Sequence, residues 1–264
     1  MNNSRLDTTT LIGVFMAFGA ILGGQAIEGG EAHTLVQLAA FVIVFGGSIG
    51  ACLIQYPTPV FFLGVSLLKW VFMTPSVALE SVIEQVVGWG NTARRGGLLS
   101  LEPLIEEMND PFMRKGLQML VDGAEPEKLR EMMEVEMDME ADREDLIPKV
   151  FEAAGGYAPT IGILGAVIGL IQVMQRLQNI NEVGQGIAVA FVATIYGVGS
   201  ANILFLPCAG RAKILMQRKQ VLRELMLEGV ASIVDKVNPR VLEAKLSVYQ
   251  NRSAQPSNIK LVAK

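Results

Sequence analysis

The 264-residue chain is 51% hydrophobic and only 18% charged, with a formal net charge of −4. A mean hydropathy of +0.40 is too high for an ordinary soluble domain, and with no basic region nucleic acid is excluded as an expected partner. A single histidine, His33, and two cysteines at the ends of separate apolar windows, Cys52 and Cys208, make no metal-ligating cluster. Neither a metal, a cofactor nor a structural disulfide is expected, and the cysteines read as small buried residues.

From the N-terminus, MNNSRLD leads straight into an apolar run with no small-residue cleavage signal set apart from it. An uncleaved first span is expected over about 8–27, and a second over about 34–54. Each matches the ~20 residues needed to cross ~30 Å of hydrocarbon. The short link Glu28–His33 makes them an antiparallel hairpin, residues 1–54.

After Pro57 and Pro59, which turn the chain, the segment 60–73 is apolar but too short to span, and it contains Lys69. Phe61, Val65, Leu68 and Phe72 fall on one helical face, so an interfacial helix is expected there, within a helical polar section over 55–149. In that section ARRGGLLSLEPLIEE sets Arg94 and Arg95 shortly before Glu102, Glu106 and Glu107. Mixed charge at a helix start is usually a solvated face; the functional alternative is an electrostatic docking surface. Leu129, Met133, Met137 and Ala141 make a core stripe on a further helix, whose acids (Asp138, Glu140 and Asp142 among them) face solvent rather than converging on a cation.

A second hairpin, 150–208, holds spans over about 157–174 and 186–206. Small residues recur every four positions: Ala158, Gly162 and Ala166, then Gly165 and Gly169, then Ala193, Gly197 and Ala201. Such faces let helices approach closely in lipid, and small faces on two sides of these spans point to an oligomer. The second span has similar pairs, Gly46 with Gly50 and Gly47 with Ala51. Pro159 falls near the start of the third span and Pro207 at the end of the fourth, where helix termination is the simplest reading of Pro207. Thr194 is the one polar side chain near mid-depth in these two spans; a bond back to its own helix is its simplest role. No Asp, Glu, Lys or Arg lies centrally in any span. A protein that moves protons needs an intramembrane acid, so here a partner would supply it. From Arg211 to about Tyr249 a helix is expected, within a C-terminal region 209–264 whose last residues, 250–264, read as frayed.

Lys and Arg set the topology. The section 55–151 and the tail are rich in them, while the two short links hold only Arg176. Both termini are expected in the cytoplasm of a multi-pass inner-membrane protein.

Taken together, these features resemble the MotA/PomA family, the A subunits of the bacterial flagellar stator. The likeness covers nearly the whole chain, through ARRGGLLSLE (93–102), AAGGYAPTIGILGAVIGLI (153–171) and AFVATIYGVGSANILFLP (190–207). It implies an all-α membrane protein of four spans with a helical cytoplasmic domain, assembled as a ring of A subunits, five by family resemblance. The ring would surround two copies of a single-span MotB/PomB-type B subunit carrying the essential aspartate, and ion flow would turn it against a rotor switch-complex protein. By position in the motifs, Arg94 and Glu102 match the charged pair that engages the rotor, and Arg95 matches a position basic in some members. Pro159 and Pro207 match the prolines of ion-driven conformational change, and Thr194 the threonine facing the ion path. Further acids of sodium-type members are replaced here by Pro103 and Ile105. Ala166 stands where sodium-driven members tend to carry a threonine; losing a hydroxyl weakens a sodium site, so the transported ion is expected to be H+ rather than Na+. An ExbB/TolQ-type energising subunit is the alternative, but it typically has three spans and no ARRGGLLSLE motif. A secondary transporter lacks its midplane ligands here, and an enzyme its nucleophile, base or metal set.

Overall fold

In the computed structural model, residues 4–75, 79–175, 177 and 180–254 are described. The chain divides into two compact units, residues 1–75 with 145–214, and 76–144 with 215–264. Arg176 lies outside the described residues, as do 255–264 of the expected frayed end.

In the first unit, helix α1 (Thr8–Ile27) opens where the Asp7 carboxylate accepts the amides of Thr9 and Thr10 at 3.1 and 3.2 Å, the usual remedy for unpaired N–H groups at a helix start. Its twenty residues rise about 30 Å, and none is buried by protein. Helix α2 (Leu38–Gln55) also meets the length and hydropathy of a span. It is widened by a π-helical turn at Val42–Gly46 and buries Ala40, Val44, Ser48 and Cys52, an i, i+4 stripe. Of the glycines expected to pack, Gly47 lies against Ile161, whereas Gly46 and Gly50 face open space.

Helix α3 (Thr58–Phe72) clusters with these spans rather than with the polar section. Gly64 sits over Val150, and Leu68 packs beside Phe151, Cys208 and Ala209. Val65, expected on the same face as Leu68, is 49% exposed. An exception to the all-helical expectation follows: β1 (Ser4–Leu6) pairs antiparallel with β2 (Met73–Pro75), Arg5 opposite Thr74.

Helix α4 (Leu79–Gly96), α5 (Glu102–Glu107) and α6 (Pro111–Val121) belong to the second unit. Helix α7 (Pro126–Gln175) runs fifty residues through both units and contains Pro148 and Pro159; α8 (Ile180–Gly199) carries the fourth span. A second π turn, Ser200–Phe205, joins α8 to α9 (Leu206–Val234). The helix therefore does not end at Pro207, contrary to the sequence expectation. Proline lacks an N–H and crowds the carbonyl four residues back, and the wider turn immediately before it relieves that crowding. The expected single C-terminal helix is likewise two. The chain turns at Lys236, at φ 54°, and restarts at α10 (Pro239–Ala254), where Asn238 Oδ1 accepts the Arg240 amide at 3.1 Å.

The second unit has its own hydrophobic core, with Val86, Leu101, Leu117, Leu129, Leu225 and Val230 fully enclosed. Leu129 and Met133 of the expected stripe are in it, and Met137 packs at its edge. Burying such side chains is worth roughly 1.5–3 kcal/mol each, which accounts for this unit's helices holding together without a membrane.

Candidate functional site

Two places bring the sequence-selected residues together. The first is a corner in the second unit. Helix α4 ends when Gly97 adopts φ +79° and its amide donates to the Ala93 carbonyl at 2.9 Å, a backbone state that favours glycine. A 3-10 turn, Leu98–Leu101, follows; Ser100 donates its hydroxyl to the Gly97 carbonyl (2.6 Å) and the Thr92 carbonyl (3.2 Å), and Leu101 plunges fully into the core. Helix α5 then starts at Glu102. The double glycine and Leu101 thus fix a sharp turn, with Arg94 and Arg95 on one side and Glu102 on the other. All three are exposed, and none has an ion-pair partner among the described residues. The corner is a rigid backbone presenting free charge of both signs, which suits electrostatic contact with another macromolecule.

The second place is the crossing of the third and fourth spans. Gly162, Gly165 and Gly169 of α7 lie against Ala193, Gly197, Ala190 and Gly186 of α8, close enough that a β-carbon at Gly169 would stand 3.1 Å from the Ala190 nitrogen and the Gly186 oxygen. The small residues therefore serve contact within one subunit. Pro159 and Ala166, seven residues apart, lie on one flank of that contact strip. Gly165 meets Ala193, so Ala166 and Thr194 share a depth. Because α8 runs antiparallel to the third span, Thr194 lies on the same side of the pair as Ala166. Both are partly exposed. The Thr194 hydroxyl donates to the Ala190 carbonyl of its own helix at 3.3 Å, leaving its oxygen lone pairs open on that side. Pro207 is exposed and stands apart from the other three, beyond the π turn, beside the buried Cys208 and Ala209.

Three features had gone unread in the sequence. Tyr196 in α8 donates its hydroxyl to the Leu35 carbonyl at 2.6 Å and accepts the Gln37 amide at 3.4 Å, fixing the start of the second span against the fourth. Asp7 pairs with Arg211, tying the bare first span to α9. In the second unit, Glu144 is 8% exposed and held by Lys219 and Arg223. Burial works to raise its pKa, but the hydrogen bonds and charges of those two cations prevail and hold the carboxyl below its ordinary range. Glu228 is lowered in the same way, burial being outweighed by Lys245 and Arg130. A residue-by-residue reading offers no signal for these long-range pairs.

Comparison with known proteins covers the chain almost end to end. Residues 104–225 match the MotA/TolQ/ExbB proton channel family, and residues 11–87 the motility protein A N-terminal family. Motility protein A of Bacillus subtilis (strain 168) is 38% identical over 92% of this chain and 91% of its own. Chemotaxis protein PomA of Vibrio alginolyticus is 30% identical over 96% and 99%. Among solved structures, the flagellar MotAB stator complex from Bacillus subtilis superposes with a TM-score of 0.82 at 37% identity, covering 94% of this chain and all of that one. The C. jejuni MotAB structure gives a TM-score of 0.86 at 30% identity over 92% and 96%.

Proposed function

The chain belongs to the MotA/PomA family and is a flagellar stator A subunit, and from that premise we propose how it works. It is a multi-pass inner-membrane protein and not an enzyme. Five copies form a ring around two single-span B subunits of the MotB/PomB type. Both termini and the second unit lie in the cytoplasm, as the Lys and Arg distribution favours. Protons pass along the open flank of the third and fourth spans, and the ring turns on the B subunits. The corner at Arg94, Arg95 and Glu102 then pushes on charged groups of a rotor switch-complex protein.

One observation carries this reading. Ala166 and Thr194 share one depth and one side of a close-packed hairpin that has no charged residue at its centre. A hydroxyl and a methyl alone cannot bind and release a proton, so the titrating carboxylate belongs to a neighbour facing that flank. Pro159, on the same flank, and Pro207, next to the π turn, are the points where the backbone can flex as the carboxylate changes charge. Four spans, rather than three, and the corner motif favour this over an ExbB/TolQ-type role.

The test is deletion of the gene in a strain with no second stator. Loss of swimming in soft agar, restored when this chain is returned, is the expected result. Normal swimming after deletion defeats the proposal.

A further inference from the structure

Glu144 is the most enclosed carboxylate among the described residues, and the corner and the span crossing leave it unused. Arg223 grips it with two parallel hydrogen bonds, Nη1 to Oε2 at 2.8 Å and Nη2 to Oε1 at 3.0 Å, and the Lys219 ammonium donates to Oε1 at 2.9 Å. One turn earlier on α7, Glu140 Oε2 lies 3.7 Å from Arg223 Nη2. Two acids at i, i+4 on α7 thus face two cations at i, i+4 on the antiparallel α9.

Such a group is a poor choice for stability alone, since apolar residues of similar volume often hold two helices as well or better. What a forked ion pair adds is direction and register. Arg223 also sits between two carboxylates. A small axial slide of α9 along α7 would weaken the fork to Glu144 while tightening the contact to Glu140, with charge balanced throughout. Packed helices that shift in this way settle in discrete arrangements. The helices concerned are not incidental ones, because α7 contains the third span and α9 follows the fourth without a break.

We propose that Glu144, with Lys219 and Arg223, is a positioning clasp for torque. It holds the helices that continue from the third and fourth spans in register under load, and Arg223 passes between Glu144 and Glu140 as they slide. This rests on the stator reading, since only there do these two helices carry work.

The experiment expresses the full chain with its B subunit in a strain lacking the native gene, as Glu144→Gln and as Arg223→Lys. Bead-loaded single motors resolve the speed increment as each stator engages, and membrane immunoblots give protein level. Both single variants should keep their membrane level but lose about twofold or more of the torque increment at high load, and much less at low load. The clasp is overturned if Glu144→Gln gives wild-type increments at every load. It is equally overturned if Arg223→Lys loses torque only in proportion to lost protein, because the group then merely folds the unit. If the wild-type chain itself yields no stepwise increments, the stator reading has failed instead.

Discussion

Gly162 and Gly197 meet face to face where the third and fourth spans cross. A β-carbon on Gly162 would stand 3.1 Å from the Gly197 Cα and 2.8 Å from the Ala193 carbonyl oxygen. Both obstacles are backbone, so neither can move aside as a side chain would.

Gly162→Val should therefore separate the spans or distort both. Overpacking of this kind costs roughly 1–3 kcal/mol. A lower melting temperature in detergent and reduced membrane level are expected. Gly46→Val, which faces open space, serves as the control and should melt like wild type.

The corner makes a different prediction. Reversing charge at Arg94 or Glu102 should abolish or severely reduce swimming while membrane level and melting stay unchanged, because these exposed side chains support nothing in the fold. Gly97→Ala forces a side chain into φ +79° and should cost on the order of 1–2 kcal/mol, impairing motility through the position of both charges. Normal swimming of the reversal variants would remove the corner from the rotor contact.

The clasp predicts a pH dependence. The folded pKa values of Glu144 and Glu228 are lowered relative to the unfolded chain. Their stabilisation is thus fully present above the ordinary carboxylate range and is lost as pH falls through the lowered folded values. Melting of the purified protein should fall on acidification from neutral pH, and more shallowly in Glu144→Gln. That variant should already be less stable at neutral pH by on the order of 1 kcal/mol, because Arg223 loses its anion in a largely enclosed site while Lys219, 56% exposed, stays hydrated. An unchanged acid limb in Glu144→Gln would show that Glu144 does not govern it.

Ion choice is tested in live cells. Swimming speed should fall with a protonophore and stay flat as external sodium is varied. Ala166→Thr alone should not create sodium dependence, since one more oxygen does not complete a sodium shell. Speed that tracks sodium in the wild type would defeat the assignment.

The sequence by itself determined the four spans, because twenty-residue apolar windows and segregated charge are local properties that a bilayer imposes on any chain. It also located ARRGGLLSLE by its charges and motif, the stripe at Leu129 and Met133 by four-residue spacing, and Thr194 as a lone polar side chain in an apolar span. Only the tertiary structure decided how Pro207 is accommodated, since a π turn depends on neighbours filling the widened helix. Tertiary structure alone likewise put Ala166 level with Thr194, seated α3 over Val150, and paired Tyr196 with Leu35 and Glu144 with Arg223. Those relations join residues from 79 to 161 positions apart in three of the pairs. No period in a sequence encodes which face of one helix will meet which face of another; that choice falls to packing, where side-chain shapes from distant segments must fit at once.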